Sequence, residues 1–141
     1  MVDIEFNKSL ANLLYYNNLN NKLEREVGDY LKNKVPNPKN YSNDLRHQYV
    51  SAIYSRNKGP NNTKLLGQLN EMFNISEAEP YNRIDKQVDL YNNNIGIGYG
   101  QRYPNISRQQ LLDILFNDYY NNRNNRLKQL GYWLWIGQIK H

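Results

Sequence analysis

Apolar positions recur at helical spacing through most of the chain. Phe6, Leu10, Leu13 and Leu14 step as i, i+4, i+7 and i+8 and predict a first helix ending near Asn17-Asn18. Leu23, Val27, Tyr30 and Leu31 predict a second, which the Val35-Pro36-Asn37-Pro38 stretch stops. Ser42-Asn43-Asp44 offers cap residues for a third helix, running through Leu45, Tyr49, Ala52 and Ile53 toward Lys58-Gly59-Pro60. Asn61-Asn62-Thr63 is a candidate cap for a fourth, with Leu65, Leu66, Leu69, Met72 and Phe73 facing inward. A fifth carries Ile84, Val88, Tyr91 and Ile95 on one face, and Gly96, Gly98, Gly100 and Tyr103-Pro104 are expected to end it. Ser107-Arg108-Gln109-Gln110 has capping-box spacing and opens a sixth through Leu111, Leu115 and Tyr119.

The expectation is therefore an all-α fold, one compact helical domain of about six helices spanning residues 1–141. Only Tyr132-Trp133-Leu134-Trp135-Ile136 reads as a strand, and one strand forms no sheet. An aromatic segment of this kind suits packing on the helices or anchoring to a partner, with Tyr132, Trp133, Trp135 and Ile136 as the contact residues.

Composition narrows the function classes. The chain has 141 residues, enough for one core, and 39% of them are apolar. Thirteen Tyr supply burial that the modest aliphatic content does not. Zero Cys excludes a disulfide scaffold, a thiolate zinc site and a Cys nucleophile. No run approaches the ~20 apolar residues that cross a bilayer. Met1-Val2-Asp3-Ile4-Glu5 is followed by no apolar stretch, so no Sec-type leader is expected. The 25 Asn accompany abundant Lys, Tyr and Ile, residues with AT-rich codons, and point to an AT-rich bacterial, phage or viral genome. They are interleaved with the apolar rhythm and form no prion-like tract. The net charge of +5 permits attraction to nucleic acid, and Arg123, Arg126 and Lys128 follow Tyr119 and Tyr120. The basic residues are nevertheless scattered, as on solvated helix faces, so a nucleic-acid partner is not expected.

A polar stripe borders the apolar arc of the fifth helix. Asp85, Asp89, Asn92 and Gly96 stand at i, i+4, i+7 and i+11 along the margin of the expected core. Two Asp at i, i+4 repel unless a cation lies near. Gly96 removes side-chain bulk where a backbone or ligand approaches. On the third helix Arg46 falls on or near the buried side, where a guanidinium needs carboxylate partners, and Asp85 or Asp89 would supply them. His47 lies at the other edge, and Asn70 borders the apolar arc of the fourth helix.

Three readings stay open for this constellation. It is a buried ion-pair network that sets helix register, or a ligand-binding or catalytic pocket. The third is a divalent-cation site on Asp85, Asp89 and Asn92, although no known loop spacing is matched and neither metal nor cofactor is expected. As a catalyst His47 would be the general base, Asp89 its orienter, and Asn92 or Asn93 a donor to an oxyanion or substrate amide.

Three ordered blocks carry a resemblance. Asp44-Leu45-Arg46-His47-Gln48-Tyr49-Val50-Ser51-Ala52, Leu66-Gly67-Gln68-Leu69-Asn70-Glu71 and Asp89-Leu90-Tyr91-Asn92-Asn93-Asn94-Ile95-Gly96 cover roughly residues 44–96. They resemble a family of small helical domains in bacteria and phages, whose activity is not assigned. Its pattern runs Arg-His-x-Tyr/Trp-x-Ser-Ala, Leu-Gly-x-x-His-Glu and Asp-Leu-x-Asn-Asn-x-x-Gly. The resemblance implies polar site positions at Arg46, His47, Glu71, Asp89, Asn92, Asn93 and Gly96. The family's second His is Asn70 here, which weakens any chemistry that needs a His pair. Composition also resembles that of small virion proteins of crAss-like phages. The expectation is an accessory structural or interaction protein in a larger assembly such as a virion, placed in the virion or the host cytoplasm. The alternative is a hydrolase acting on an envelope polymer or lipid through His47 and Asp89.

Overall fold

The computed structural model describes residues 4–73 and 81–122, with side chains at 11, 14–67 and 87–122. The described residues form five helices, α1 (Ile4–Lys32), α2 (Lys39–Lys58), α3 (Pro60–Phe73), α4 (Tyr81–Arg102) and α5 (Arg108–Asn121). No strand occurs among them. The fold is all-α, with five helices in place of the six expected, and Tyr132, Trp133, Trp135 and Ile136 lie outside the described residues.

The count differs because the first two expected helices are one. Tyr16, Leu19, Leu23, Val27, Tyr30 and Leu31 are all buried, in one register that runs straight past Asn17, Asn18, Asn20 and Asn21. Asn has modest helix propensity, a few tenths of a kcal/mol that a continuous buried stripe overrides. The result is a 29-residue helix, about 43 Å long at 1.5 Å per residue.

Pro residues set two starts that side-chain caps were expected to set. The N-cap of α2 is Pro38, with no side-chain cap, so Ser42, Asn43 and Asp44 lie inside the helix. α3 opens at Pro60 directly after Gly59, whose φ of 89° only Gly adopts readily. The capping box of α5 forms as its spacing foretells. Ser107 Oγ accepts from Gln110 N at 3.1 Å, and Gln110 Oε1 accepts from Ser107 N at 3.1 Å.

α2 is the central element. Residues 48–55 are buried without interruption, so the helix is covered on every side, by α1, α3, α4 and α5. Its most extensive packing is against α4. That approach explains why Gly96, Gly98 and Gly100 do not end α4 as expected but lie within it. A Cβ on Gly96 would lie 2.7 Å from Gln48 C and 2.8 Å from Gln48 Cα, and one on Gly100 would lie 2.9 Å from Ala52 Cα. Two glycines one turn apart let the backbones touch, and packing outweighs their propensity cost of ~1 kcal/mol each.

Tyrosine contributes hydroxyls as well as rings. Tyr30 donates to Asp113, Tyr49 to Glu26 and Tyr119 to Asp44, each at 2.6 Å. These bonds tie α1 to α5, α2 to α1 and α5 to α2, so a tyrosine-rich core stays hydrogen-bonded where it meets acidic groups. Burial, reinforced by the accepting carboxylate, raises the Tyr30 and Tyr49 hydroxyls above their ordinary value of 10. Both remain donors throughout the physiological range.

Candidate functional site

The α2–α4 seam gathers the polar residues the sequence singles out. A helix places residues three and four apart on one face. On α2 this aligns Asp44, His47, Gln48 and Ser51, and on α4 it aligns Asp89, Asn92, Asn93 and Gly96. The two stripes face each other and interlock.

His47 stands at the outer end, its side chain 10% exposed. Its Nδ1 lies 3.0 Å from Asn93 Oδ1, which also accepts from Ser51 Oγ at 3.1 Å. A carboxamide oxygen only accepts, so Nδ1 carries the proton. The lone pair of the neutral ring is then at Nε2, where Arg46 Nη2 approaches to 3.4 Å. Asp89 Oδ1 lies 3.2 Å from the same nitrogen. Only the protonated ring donates to it. Asp89 meanwhile accepts a long 3.4 Å bond from Asn43 Nδ2.

A second chain runs deeper. Tyr119 OH and Asn92 Nδ2 both donate to the Asp44 carboxylate, and Asn92 Oδ1 accepts from Gln48 Nε2 at 3.0 Å. Asp44 only accepts, so the direction of every bond in the chain follows from it. Gln48, Asn92 and Asn93 are 1%, 5% and 5% exposed. Gln48 Oε1 is buried with no partner among the described residues.

The structure thus brings His47 together with Asp89 and Asn93, and places Asn92 and Gly96 along the same seam. The approach expected at Gly96 is that of the Gln48 backbone. Arg46 differs from expectation. Instead of pairing with Asp89, it donates to Asn43 Oδ1 at 2.9 Å and reaches Glu24 Oε1 at 3.5 Å. Its side chain is 25% exposed, so it lies at the rim, where a charge keeps part of its hydration and needs no buried carboxylate. The side chains of Asn70, Glu71 and Asp85 lie outside the described ones. Among the described residues no cluster of three His, Cys, Asp or Glu is placed to hold a metal ion. No described helix is long and apolar enough to cross a membrane.

Gln48, Ser51, Asp44, Asn43 and Tyr119 belong to the network without having been singled out from sequence. Asp44, Gln48, Ser51 and Ser55 recur at spacings of four, three and four on α2, a polar stripe inside an otherwise buried helix. That stripe is the signal. A polar face on a central helix needs a polar face opposite it.

Desolvation dominates the charge state of His47 and lowers its pKa below the ordinary 6.5. Asp89 opposes this, Arg46 adds to it, and Asn93 and Asp44 oppose it more weakly. As pH falls through about 6.5, the unfolded chain takes up a proton that the folded chain refuses, so stability declines on the acid side. Above that range the ring is neutral in both states and contributes no slope. The expected result is a denaturant midpoint that falls from about pH 7 to about pH 5 in the wild type. The part of that fall owed to His47 is absent from His47→Gln. Parallel curves for the two proteins would show that the ring titrates as it does in water.

No protein-family model, curated protein or solved structure matches this chain.

Proposed function

We propose that the chain is a non-catalytic accessory protein that docks on a larger protein assembly such as a phage particle, its polar seam serving to set the register of α2 on α4. The observation that carries this reading is that both ring nitrogens of His47 face protein partners, Nδ1 toward Asn93 and Nε2 toward Asp89 and Arg46. A general base needs one free lone pair within reach of a substrate proton, and here the lone pair is already taken. Ser51, whose hydroxyl donates to Asn93 within this network, is 1% exposed, too deep to act as a nucleophile. Side chains that satisfy one another in a buried interface specify a unique packing. Docking would then fall to the aromatic residues near the C-terminus, Tyr132, Trp133, Trp135 and Ile136.

The test removes residues 131–141 and compares the truncated and full-length chains for co-purification with particles from the cells that make the protein. Docking of the full-length chain at fixed stoichiometry, lost in the truncated chain while its helical circular dichroism persists, is the expected result. Equal docking by both would overturn the assignment of the contact surface, and no docking by the full-length chain would overturn the reading.

One distance favours a second reading. Asp89 Oδ1 lies 3.2 Å from His47 Nε2, within the reach that a hydrolytic His–Asp pair requires. Such an enzyme would have to displace Arg46 and Asp89 from Nε2 before the ring could accept a proton. Activity on a peptidoglycan or phospholipid substrate that survives in a folded His47→Ala, Asp89→Ala double variant would remove this reading.

A further inference from the structure

A second concentration of polar chemistry lies away from the seam, in a cleft of about 560 Å³ between the C-terminal half of α1 and the start of α5. Small-molecule sites fall in this range of volumes. The floor of the cleft is held by Glu26, which accepts from Tyr49 OH at 2.6 Å and from Arg108 Nη1 at 2.9 Å. Both Glu26 oxygens are therefore engaged. Arg108 is only partly used. It gives one of its five N–H groups to Glu26, and its side chain is 41% exposed, which leaves much of a bidentate fork for another carboxylate.

On the α1 side stand Asp29 and Lys34, neither with an ion-pair partner among the described residues. The Lys34 ammonium lies over the Tyr30 ring at 5.4 Å, which holds it beside the cleft. Once Glu26 and Arg108 have neutralised each other, one carboxylate, one ammonium and the remaining N–H groups of a guanidinium are left. An anion alone would meet Asp29 and Glu26, and a cation alone would meet Arg108 and Lys34. A sugar would find no ring face to stack on, because Tyr49 and Tyr30 are 0% and 9% exposed.

We propose that this cleft binds a small zwitterion, a free α-amino acid or short peptide, with its ammonium on Asp29 and its carboxylate on Arg108 and Lys34. The two charges of such a ligand match the two unspent charges of the cleft, and its amide or side chain lies against Gln109 and Leu112. The contacts are half-exposed, so binding is weak, with a dissociation constant on the order of millimolar.

Titration of the full chain with L-alanyl-L-alanine, followed by backbone amide NMR, tests it. Saturable shifts are expected within residues 26–34 and 108–112. The N-acetylated and C-amidated dipeptides, each lacking one charge, are expected to bind about tenfold more weakly. Asp29→Asn, an exposed change that spares the Glu26 network, should lower affinity for the free dipeptide by a similar factor. It should not weaken the acetylated form, which has no ammonium to lose and is repelled by the Asp29 carboxylate. No saturable shift in the wild type, equal binding by the capped dipeptides, or undiminished binding by Asp29→Asn would each overturn the proposal.

Discussion

Replacing Gly96 with Ala is expected to destabilise the chain by about 3 kcal/mol or more, while the same change two residues on, at Gly98, stabilises it. The added methyl at Gly96 would press on the Gln48 backbone, 2.7 Å from its C atom and 2.8 Å from its Cα, and closer still to its carbonyl oxygen. Backbone atoms of a fully buried helix cannot swing aside as a side-chain tip can. Relief requires α2 and α4 to separate, and that breaks the hydrogen bonds of Asn92 and Asn93 along the seam. At Gly98 nothing lies within 4 Å of the added carbon. The Ala there contributes its better helix propensity, about 0.5–1 kcal/mol. Thermal unfolding should separate the two variants by roughly 10 °C or more, in opposite directions from the wild type. Equal behaviour would mean that the two helices do not meet as closely as these contacts indicate.

The contrast between those glycines also shows what was legible in the sequence. Helical periodicity is carried by the apolar residues, and burial follows most of it, so the all-α class and the buried apolar positions of α2 and α5 emerge directly, whereas Leu14 and Leu65, on expected apolar faces, are exposed. Helix ends depend on more than local residue type. Three glycines in five residues read as a terminator because glycine lowers helix propensity. Here Gly96 and Gly100 are instead the places where a second backbone arrives, and that approach is a tertiary fact. The Asn pairs within α1 mislead for the same reason, since a buried stripe in unbroken register outweighs local propensity.

The candidate site was half legible. His47, Asp89, Asn92 and Asn93 are found on one seam because their spacing puts them beside the apolar arcs. The partner of Arg46 was not, because a wheel shows angular position but not depth, and the guanidinium sits at the rim beside Glu24 and Asn43. Gln48 and Ser51 were missed for a related reason. They belong to a narrow polar stripe with Asp44 and Ser55 on a helix that is covered all round, and such a stripe points to a partner face only once the helix is known to be central.

The deep half of the seam makes the second large prediction, and it turns on the asymmetry between removing one partner and removing both. Asn92→Leu keeps the side-chain size but leaves Gln48 Nε2 without an acceptor at 1% exposure. Gln48 Oε1 already lacks a partner, so the whole carboxamide would be buried and unpaired. Stranding buried polar groups of this kind costs about 2–4 kcal/mol. Asp44 also loses a donor, but it keeps Tyr119 OH at 2.6 Å and is only half-buried, so its share of the loss is small. Gln48→Leu alone removes the orphaned oxygen together with the amine but leaves Asn92 Oδ1 without its donor at 5% exposure, so its expected cost is about 1–2 kcal/mol, below that of Asn92→Leu. The double variant is then expected to be more stable than Asn92→Leu, because no stranded carboxamide remains. Equilibrium denaturation of all four proteins gives the coupling energy directly. A coupling near zero would mean that Gln48 and Asn92 do not depend on each other. A coupling of about 2 kcal/mol would establish this hydrogen-bonded pair as part of what locks α2 against α4.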